Sequence, residues 1–257
     1  MRVVMVYSEA GGVSKTTTSV SLAMSAAIEG KRVLLIDLDP RAAASSWLDV
    51  EPIGQGLHVG AILGSDEDTA GYAEELAIQS TWSPNLRVIP SGRSVSNREA
   101  DRADHSEIRL ARSLQGLEAD VVIIDCPNRQ GGTLILSALT ASDTVVYAAK
   151  PNTDGVDGYL GAKVSVERFM QAREAIGAPA KLREAGIVVS GVNTTIQERI
   201  ERASIEAFEE TGMLLQPTVP DRVIVRESRA SREWYGEYRK GAPVAEAFAE
   251  LTREILK

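Results

Sequence analysis

Four ionisable side chains and one hydroxyl in the first half of the sequence stand where phosphate chemistry would use them. Lys15 and Thr16 close the stretch Glu9-Ala10-Gly11-Gly12-Val13-Ser14-Lys15-Thr16-Thr17, two carboxylates, Asp37 and Asp39, follow one apolar run, and Asp125 ends another. The backbone N–H groups of a loop made by Gly11, Gly12, Val13, Ser14, Lys15, Thr16 and Thr17 would point inward around an anion. A helix starting there adds the partial positive charge of its N-terminus. In such a cradle Lys15 would reach the β- and γ-phosphates of a nucleotide, and the Thr16 hydroxyl would ligate Mg²⁺.

That chemistry needs a strand before the loop and a helix after it. Val3-Val4-Met5-Val6-Tyr7 supplies the strand, and a helical pattern beginning near Thr17 runs from Ser19 to Ile28 until Gly30 stops it. Val33-Leu34-Leu35-Ile36 is a continuous apolar run of the kind found in buried parallel strands, and it delivers Asp37 and Asp39 to the strand's C-terminal end. Ligands of open α/β sheets bind at that edge. Asp120 to Ile124 repeats the arrangement and ends in Asp125. Asp143 to Ala149 reads as a further buried strand, which sets Lys150 at the same edge.

Between these anchors the pattern gives short helices over Ala43–Leu48, Val59–Leu63 and Tyr72–Ala77, and a strand over Asn85–Pro90. It gives a charged amphipathic helix over Arg98–Leu114 with Ile108, Leu110 and Leu114 inward, and a helix over Thr133–Ala141. Later come helices over Val156–Ala175, Ile196–Thr211 and Val244–Leu256, and strands at Ile187–Val189 and Pro217–Pro220. Strands alternating with helices along residues 1–257 imply one α/β domain, doubly wound, with a mainly parallel sheet and helices on both faces.

The bulk numbers narrow the partners. A formal charge of −8 argues against coating nucleic acid by bulk charge, so any such contact needs a local basic patch. Arg222, Arg226, Arg229, Arg232, Arg239 and Lys240 cluster near the end of the chain, interrupted by acids that make a solvated mixed-charge face a serious competitor. The single cysteine, Cys126, suits a reducing cytoplasm and reads as a small core residue. His58 and His105 lack metal-ligand spacing. Arg2 followed by a short strand carries no signal-peptide pattern, and the longest weakly polar stretch, 131–149, contains Asp143 and reads as helix, turn and strand, not a membrane span.

The loop departs from the strict pattern G-x-x-x-x-G-K-[ST], with Glu9 at the first glycine and Ser14 at the second. Gly-Gly-x-x-Lys-Thr-Thr after a strand nevertheless resembles the deviant Walker A loop of ParA/MinD P-loop NTPases. The likeness extends to Asp37-Leu38-Asp39-Pro40, followed by Arg41 where the family has Gln, and to Asp120–Pro127. It implies ATP and Mg²⁺ as cofactors, with Asp39 orienting the attacking water, Asp37 holding the magnesium shell, and Asp125 binding Mg²⁺ through a water. It places Asn193 and Pro220 near the base. The family's signature lysine, which crosses a dimer interface, is Ala10 here. The McdA-type branch, which positions carboxysomes, likewise lacks it and uses a lysine from the second half of the chain; Lys150 is the corresponding candidate.

The resemblance implies a ParA-type ATPase that partitions or positions DNA or a protein compartment. Such a protein is a cytoplasmic, nucleoid-associated homodimer with ATP. It binds DNA without sequence preference, here through Arg222, Arg226 and Arg229, and is reset by a ParB-like or McdB-like adaptor. No membrane contact is expected, because the last helix lacks the lysine-rich face of a MinD-like anchor. A non-hydrolysing nucleotide scaffold, or a metabolite kinase or ligase on the same fold, is the alternative that phosphate release and DNA capture would separate. A nitrogenase-type iron protein would need two cysteines per chain. Ser14 is expected to sit at positive φ, at a cost of about 1 kcal/mol.

Overall fold

The computed structural model describes residues 1–101, 103–178, 182–195 and 198–257. An eight-stranded sheet in the order β3-β4-β2-β5-β1-β6-β7-β8 forms its centre. The strands are β1 Arg2–Tyr7, β2 Val33–Asp37, β3 Ile78–Gln79, β4 Leu86–Ile89, β5 Val121–Asp125, β6 Thr144–Ala149, β7 Arg183–Val192 and β8 Val219–Pro220. Every neighbouring pair is parallel except β3–β4 at the edge. The helices are α1 Lys15–Ile28, α2 Ala43–Trp47, α3 Val59–Leu63, α4 Tyr72–Leu76, α5 Arg109–Ser113, α6 Thr133–Ala141, α7 Thr153–Ala175, α8 Arg199–Glu210, α9 Val223–Ser231 and α10 Ala242–Ile255.

The central strands are buried on both faces, which explains their unbroken apolar runs. Alternate residues feed two cores. Met5, Ile36, Ile124 and Tyr147 face one with α6 and α7, whereas Val6, Leu35, Ile123 and Val188 face the other with α1 and α10. The topology places β1 between β5 and β6, so the loop after β1 opens between the ends of Asp125 and Lys150.

Two expectations from the sequence are corrected. The stretch from Arg98 to Leu114 is not one helix: 3₁₀ turns at Arg93–Ala100 and Ser106–Ile108 precede the five-residue α5. His105, at φ 58°, lies in the left-handed region and breaks the run. Leu110 and Leu114 are buried as expected, but Ile108 is exposed. The charged helix expected from Ile196 begins at Arg199, and Ile196 itself lies outside the described residues. Beyond those corrections, the mixed-charge segment after Pro220 forms a nine-residue helix, α9.

Candidate nucleotide site

The loop between β1 and α1 leads straight into the helix at Lys15. Ser14 adopts φ 71°, the left-handed backbone expected of it, and its carbonyl accepts the N–H of Thr18 at 2.9 Å. Lys15 is buried, and its Nζ donates to the Ala10 carbonyl at 2.6 Å. Burial pulls its pKa down, opposed by the charge of Asp125. The ammonium is therefore held inside its own loop, where an arriving phosphate can replace the carbonyl.

The first half of the loop leans on α7. Glu9 accepts from Ser165 Oγ at 2.7 Å and from the Tyr7 hydroxyl at 3.3 Å, and its N–H donates to the Gly158 carbonyl. A Cβ at Gly158 would lie 2.5 Å from the Ala10 Cβ and 2.6 Å from Ser8 Oγ, so only glycine lets helix and loop approach this closely. That contact is a physical reason for the small residue at position 10. Glu9 likewise has a structural partner, though it stands at a glycine position of the strict pattern.

The strand register sets the carboxylates side by side, with Asp37 opposite Asp125. Both are fully buried. Asp37 is committed on both oxygens: Oδ1 accepts from the Asp39 N–H at 3.1 Å, and Oδ2 accepts from Ser45 N at 2.9 Å and Ser45 Oγ at 2.7 Å. Asp125 Oδ1 accepts from Ser19 Oγ at 2.8 Å, but its Oδ2 has no hydrogen-bond partner among the described residues. Burial raises both pKa values, and for Asp37 the neighbouring Asp125 charge adds to it. Asp39 sits at the edge of the cavity, 9 % exposed, with Oδ1 accepting from the Arg41 N–H at 2.9 Å.

The loop and Asp39 open on a cavity of about 380 Å³, within the range of small-ligand sites. Gly12, Ser14, Lys15, Thr16, Thr17 and Asp39 line one end. Lys150 lines the middle, with Ser190 and Gly191. Val219, Pro220, Val225 and Val244 form an apolar end beside Asp221, and Arg222, Arg226 and Arg229 border the mouth. Val13 turns into the core, and Gly11 packs beside Asn128. Asn193 is not brought to this cavity: its N–H donates to Glu201 at 2.6 Å, its Oδ1 accepts from Thr195 N at 3.0 Å, and it borders a separate surface pocket with Thr194 and Arg202.

Arg226 and Arg229 lie one turn apart on α9, and Arg222, in extended backbone, is the N-cap residue before it; all three line the cavity. Arg226 pairs with Asp221 at 2.9 Å, and Arg222 donates to the Asp221 carbonyl at 2.8 Å. Beyond the C-terminal end of α9, Trp47 Nε1 donates to the Glu233 carbonyl at 3.1 Å, and Arg232 pairs with Asp49. The helix thus runs from β8 to α2, the element that follows Asp39. Arg41, Asn128 and Ser190 are among the cavity residues that sequence reasoning missed. Arg41 sits beside Asp39, Asn128 follows Pro127, and Ser190 could have been marked by the apolar run before it and Gly191 after it.

The residues fit a magnesium nucleotide. An unpartnered carboxylate oxygen at Asp125, the hydroxyl of Thr16 and an all-oxygen donor set are what Mg²⁺ takes when it is shared with phosphates. Among the described residues no group of three or more His, Cys, Asp or Glu could hold a metal alone.

Known proteins resemble the chain in sequence and in fold. A family profile described as "AAA domain" matches residues 1–173. The sporulation initiation inhibitor protein Soj of Bacillus subtilis is 31% identical over 263 residues, covering 99% of this chain and 98% of Soj. The chromosome partitioning protein ParA of Myxococcus xanthus is 34% identical over 271 residues, covering 100% of this chain and 88% of that protein. Apo McdA of Cyanthece superposes with a TM-score of 0.84 at 21% identity, over the full length of both chains. An ATP complex of McdA from Cyanothece gives 0.82 at 20% identity, covering 100% and 96%. At that identity the likeness establishes the fold. Full-length identity to Soj, joined to the lysine–aspartate geometry at the end of the parallel sheet, identifies the chain as a member of the ParA/Soj family of partition ATPases.

Proposed function

We propose that this chain hydrolyses ATP with Mg²⁺ and uses the cycle to position DNA or a protein compartment. The observation that carries the reading is that Lys15, Thr16, Asp39 and Lys150 line one cleft, with Asp125 buried at the end of the strand next to the one that leads into the loop. Phosphoryl transfer asks little of the protein beyond positioning and charge stabilisation. Lys15 exchanges its bond to the Ala10 carbonyl for the β- and γ-phosphates. Thr16 and Asp125 would hold Mg²⁺, which would supply charge neutralisation on the phosphates. Asp37 locks the start of α2 through Ser45 and thereby fixes Asp39, which orients the attacking water. Pro220 walls the base end of the cleft.

Two protomers close face to face over their nucleotides. Leu160 and Val164, one turn apart on α7, and Leu136 on α6 are exposed apolar side chains available to a second copy. With Ala10 in place of the signature lysine, Lys150 offsets the charge of the two triphosphates; it makes no ion pair among the described residues. The dimer binds DNA without sequence preference through Arg222, Arg226 and Arg229, whose place at the cavity mouth ties the basic patch to the nucleotide. A ParB-like or McdB-like adaptor then stimulates hydrolysis, and the protein works on the nucleoid in the cytoplasm. Among the described residues no helix is long and apolar enough to cross a membrane.

Phosphate release with and without DNA, together with DNA binding in ATP and in ADP across a salt series, tests the reading. Slow, Mg²⁺-dependent turnover and salt-sensitive DNA binding only with ATP are expected. Equal DNA binding with ADP contradicts the switch, and no turnover under any condition contradicts the ATPase.

A further inference from the structure

Four buried hydroxyls, on Ser8, Thr18, Ser91 and Ser190, lack a hydrogen-bond partner among the described residues, and of these four residues Ser190 alone lines the nucleotide cavity. It is 3 % exposed, yet its Oγ finds no hydrogen-bond partner among the described residues. Most buried hydroxyls are satisfied, because an unpaired one carries its full desolvation cost. A neighbouring carbonyl commonly serves a buried serine, as Ile200 serves Ser204 and Leu110 serves Ser113. Nothing of the kind serves Ser190.

The surroundings specify what would complete it. Alternation along β7 puts Ser190 on the face of Val188, toward the core shared by α1 and α10. Its ladder partner is Val219, and the cavity wall around it comes from Val219, Pro220, Val225 and Val244. Immediately after it, Gly191 takes φ 84° and the β7–β8 register shifts, which ends regular pairing at the cavity. An apolar slot with one hydroxyl on its floor suits a flat, aromatic ligand with a hydrogen-bonding edge.

Position agrees with that chemistry. Along the sheet, β1 carries the phosphate loop, β6 carries Lys150 and β7 carries Ser190. Two strand spacings, about 10 Å, separate the phosphate loop from Ser190, the scale of the distance from a triphosphate to its base. Asp221 is the acidic side chain at this end, and its carboxylate is held by Arg226.

We propose that Ser190 is the specificity-determining residue that meets the base edge of the bound nucleotide, in a slot walled by Val219, Val225 and Val244. The inference rests on the nucleotide reading above and adds to it the residue that recognises the nucleoside half. A serine hydroxyl both donates and accepts, so it can serve a ring nitrogen or the exocyclic amine of adenine.

Ser190→Ala and Ser190→Thr test it with two ligands, ATP and inorganic tripolyphosphate, by calorimetry, and with the melting temperature of the free protein. For Ser190→Ala the account expects ATP affinity to fall about five- to tenfold, the worth of one neutral hydrogen bond. Tripolyphosphate affinity stays at the wild-type value, and the free protein melts at the same or a higher temperature because an unpaired buried hydroxyl has gone. Ser190→Thr, which keeps the hydroxyl, retains most of the ATP affinity. A purely structural role would lower the melting temperature and both affinities together, and would overturn the proposal. So would wild-type ATP affinity in Ser190→Ala, or a parallel loss for the two ligands. Failure of the wild-type protein to bind either ligand would instead overturn the nucleotide reading itself.

Discussion

The two ends of the nucleotide cleft are built on opposite principles. At the phosphate end the working groups are buried and held: Lys15 by the Ala10 carbonyl, Asp37 by Ser45 and Asp39, and Asp125 by Ser19. At the far end Arg226 and Arg229 are exposed, and Arg229 has no ion pair among the described residues. Buried, preorganised charges serve chemistry, because they act in low dielectric without reorganising. Exposed guanidinium groups serve encounter, because water and salt screen them until a polyanion arrives. The difference teaches how an acidic chain can contain a basic patch: the positive charge is concentrated around one cleft.

The largest effect expected is on the exposed end. Charge reversal at Arg222, Arg226 and Arg229 together is expected to abolish ATP-dependent DNA binding in a filter or anisotropy assay, while ATP affinity changes far less. If ATP affinity collapses in parallel with DNA binding, the three arginines serve the nucleotide and the division between the two ends fails. Next comes the buried end. Lys15→Ala removes charge-assisted bonds of about 1.5–3 kcal/mol each, so ATP affinity should fall about a hundredfold. Wild-type ATP affinity in that variant would remove the phosphate assignment.

Lys150 stands between the ends, and its substitution sharpens the comparison. Lys150→Ala is expected to keep ATP affinity within a few fold and to lose the ATP-dependent dimer, read by sizing with a slowly hydrolysed analogue. A normal dimer would make Lys150 an ordinary surface lysine. The smallest effect is on pH. Asp37 and Asp125 have folded-state pKa values raised by burial, so the free fold binds more protons than the unfolded chain. Their contribution to stability is complete below about pH 4 and is lost as pH rises through the raised values. Magnesium competes for the same oxygens. The rise in melting temperature caused by Mg²⁺-ATP should therefore grow from pH 6 to pH 7.5, and an equal shift at both values would contradict the metal assignment to Asp125.

The buried end was legible in the sequence and the exposed end much less so. Apolar runs ending in Asp37 and Asp125 announce parallel strands, because a strand covered on both faces must be apolar throughout. The loop could be read because its glycines, Lys15 and Thr16 are contiguous. The far end draws on β7, β8, α9 and α10, brought together only by the fold. The arginines there read as a mixed-charge face until the fold brings α9 and its N-cap residue to the cavity. Asn193 fits a base-contacting role by its place in the chain, but its bonds to Glu201 and Thr195 keep it at the surface pocket. The aromatic contacts of Trp47 with Trp82 and Tyr235, which brace the segment after α9, have no local signature at all.

The central claim is that the buried end performs hydrolysis and does more than hold a nucleotide. Asp39→Ala measures this most directly, because Asp39 lines the cavity without belonging to the loop that grips the phosphates. Phosphate release and ATP affinity are measured on the same preparation, with the wild-type rate as reference. The account predicts ATP affinity within about threefold of wild type and turnover reduced at least about a hundredfold, the usual worth of a group that positions or deprotonates the nucleophile. Turnover at the wild-type rate in Asp39→Ala would contradict it.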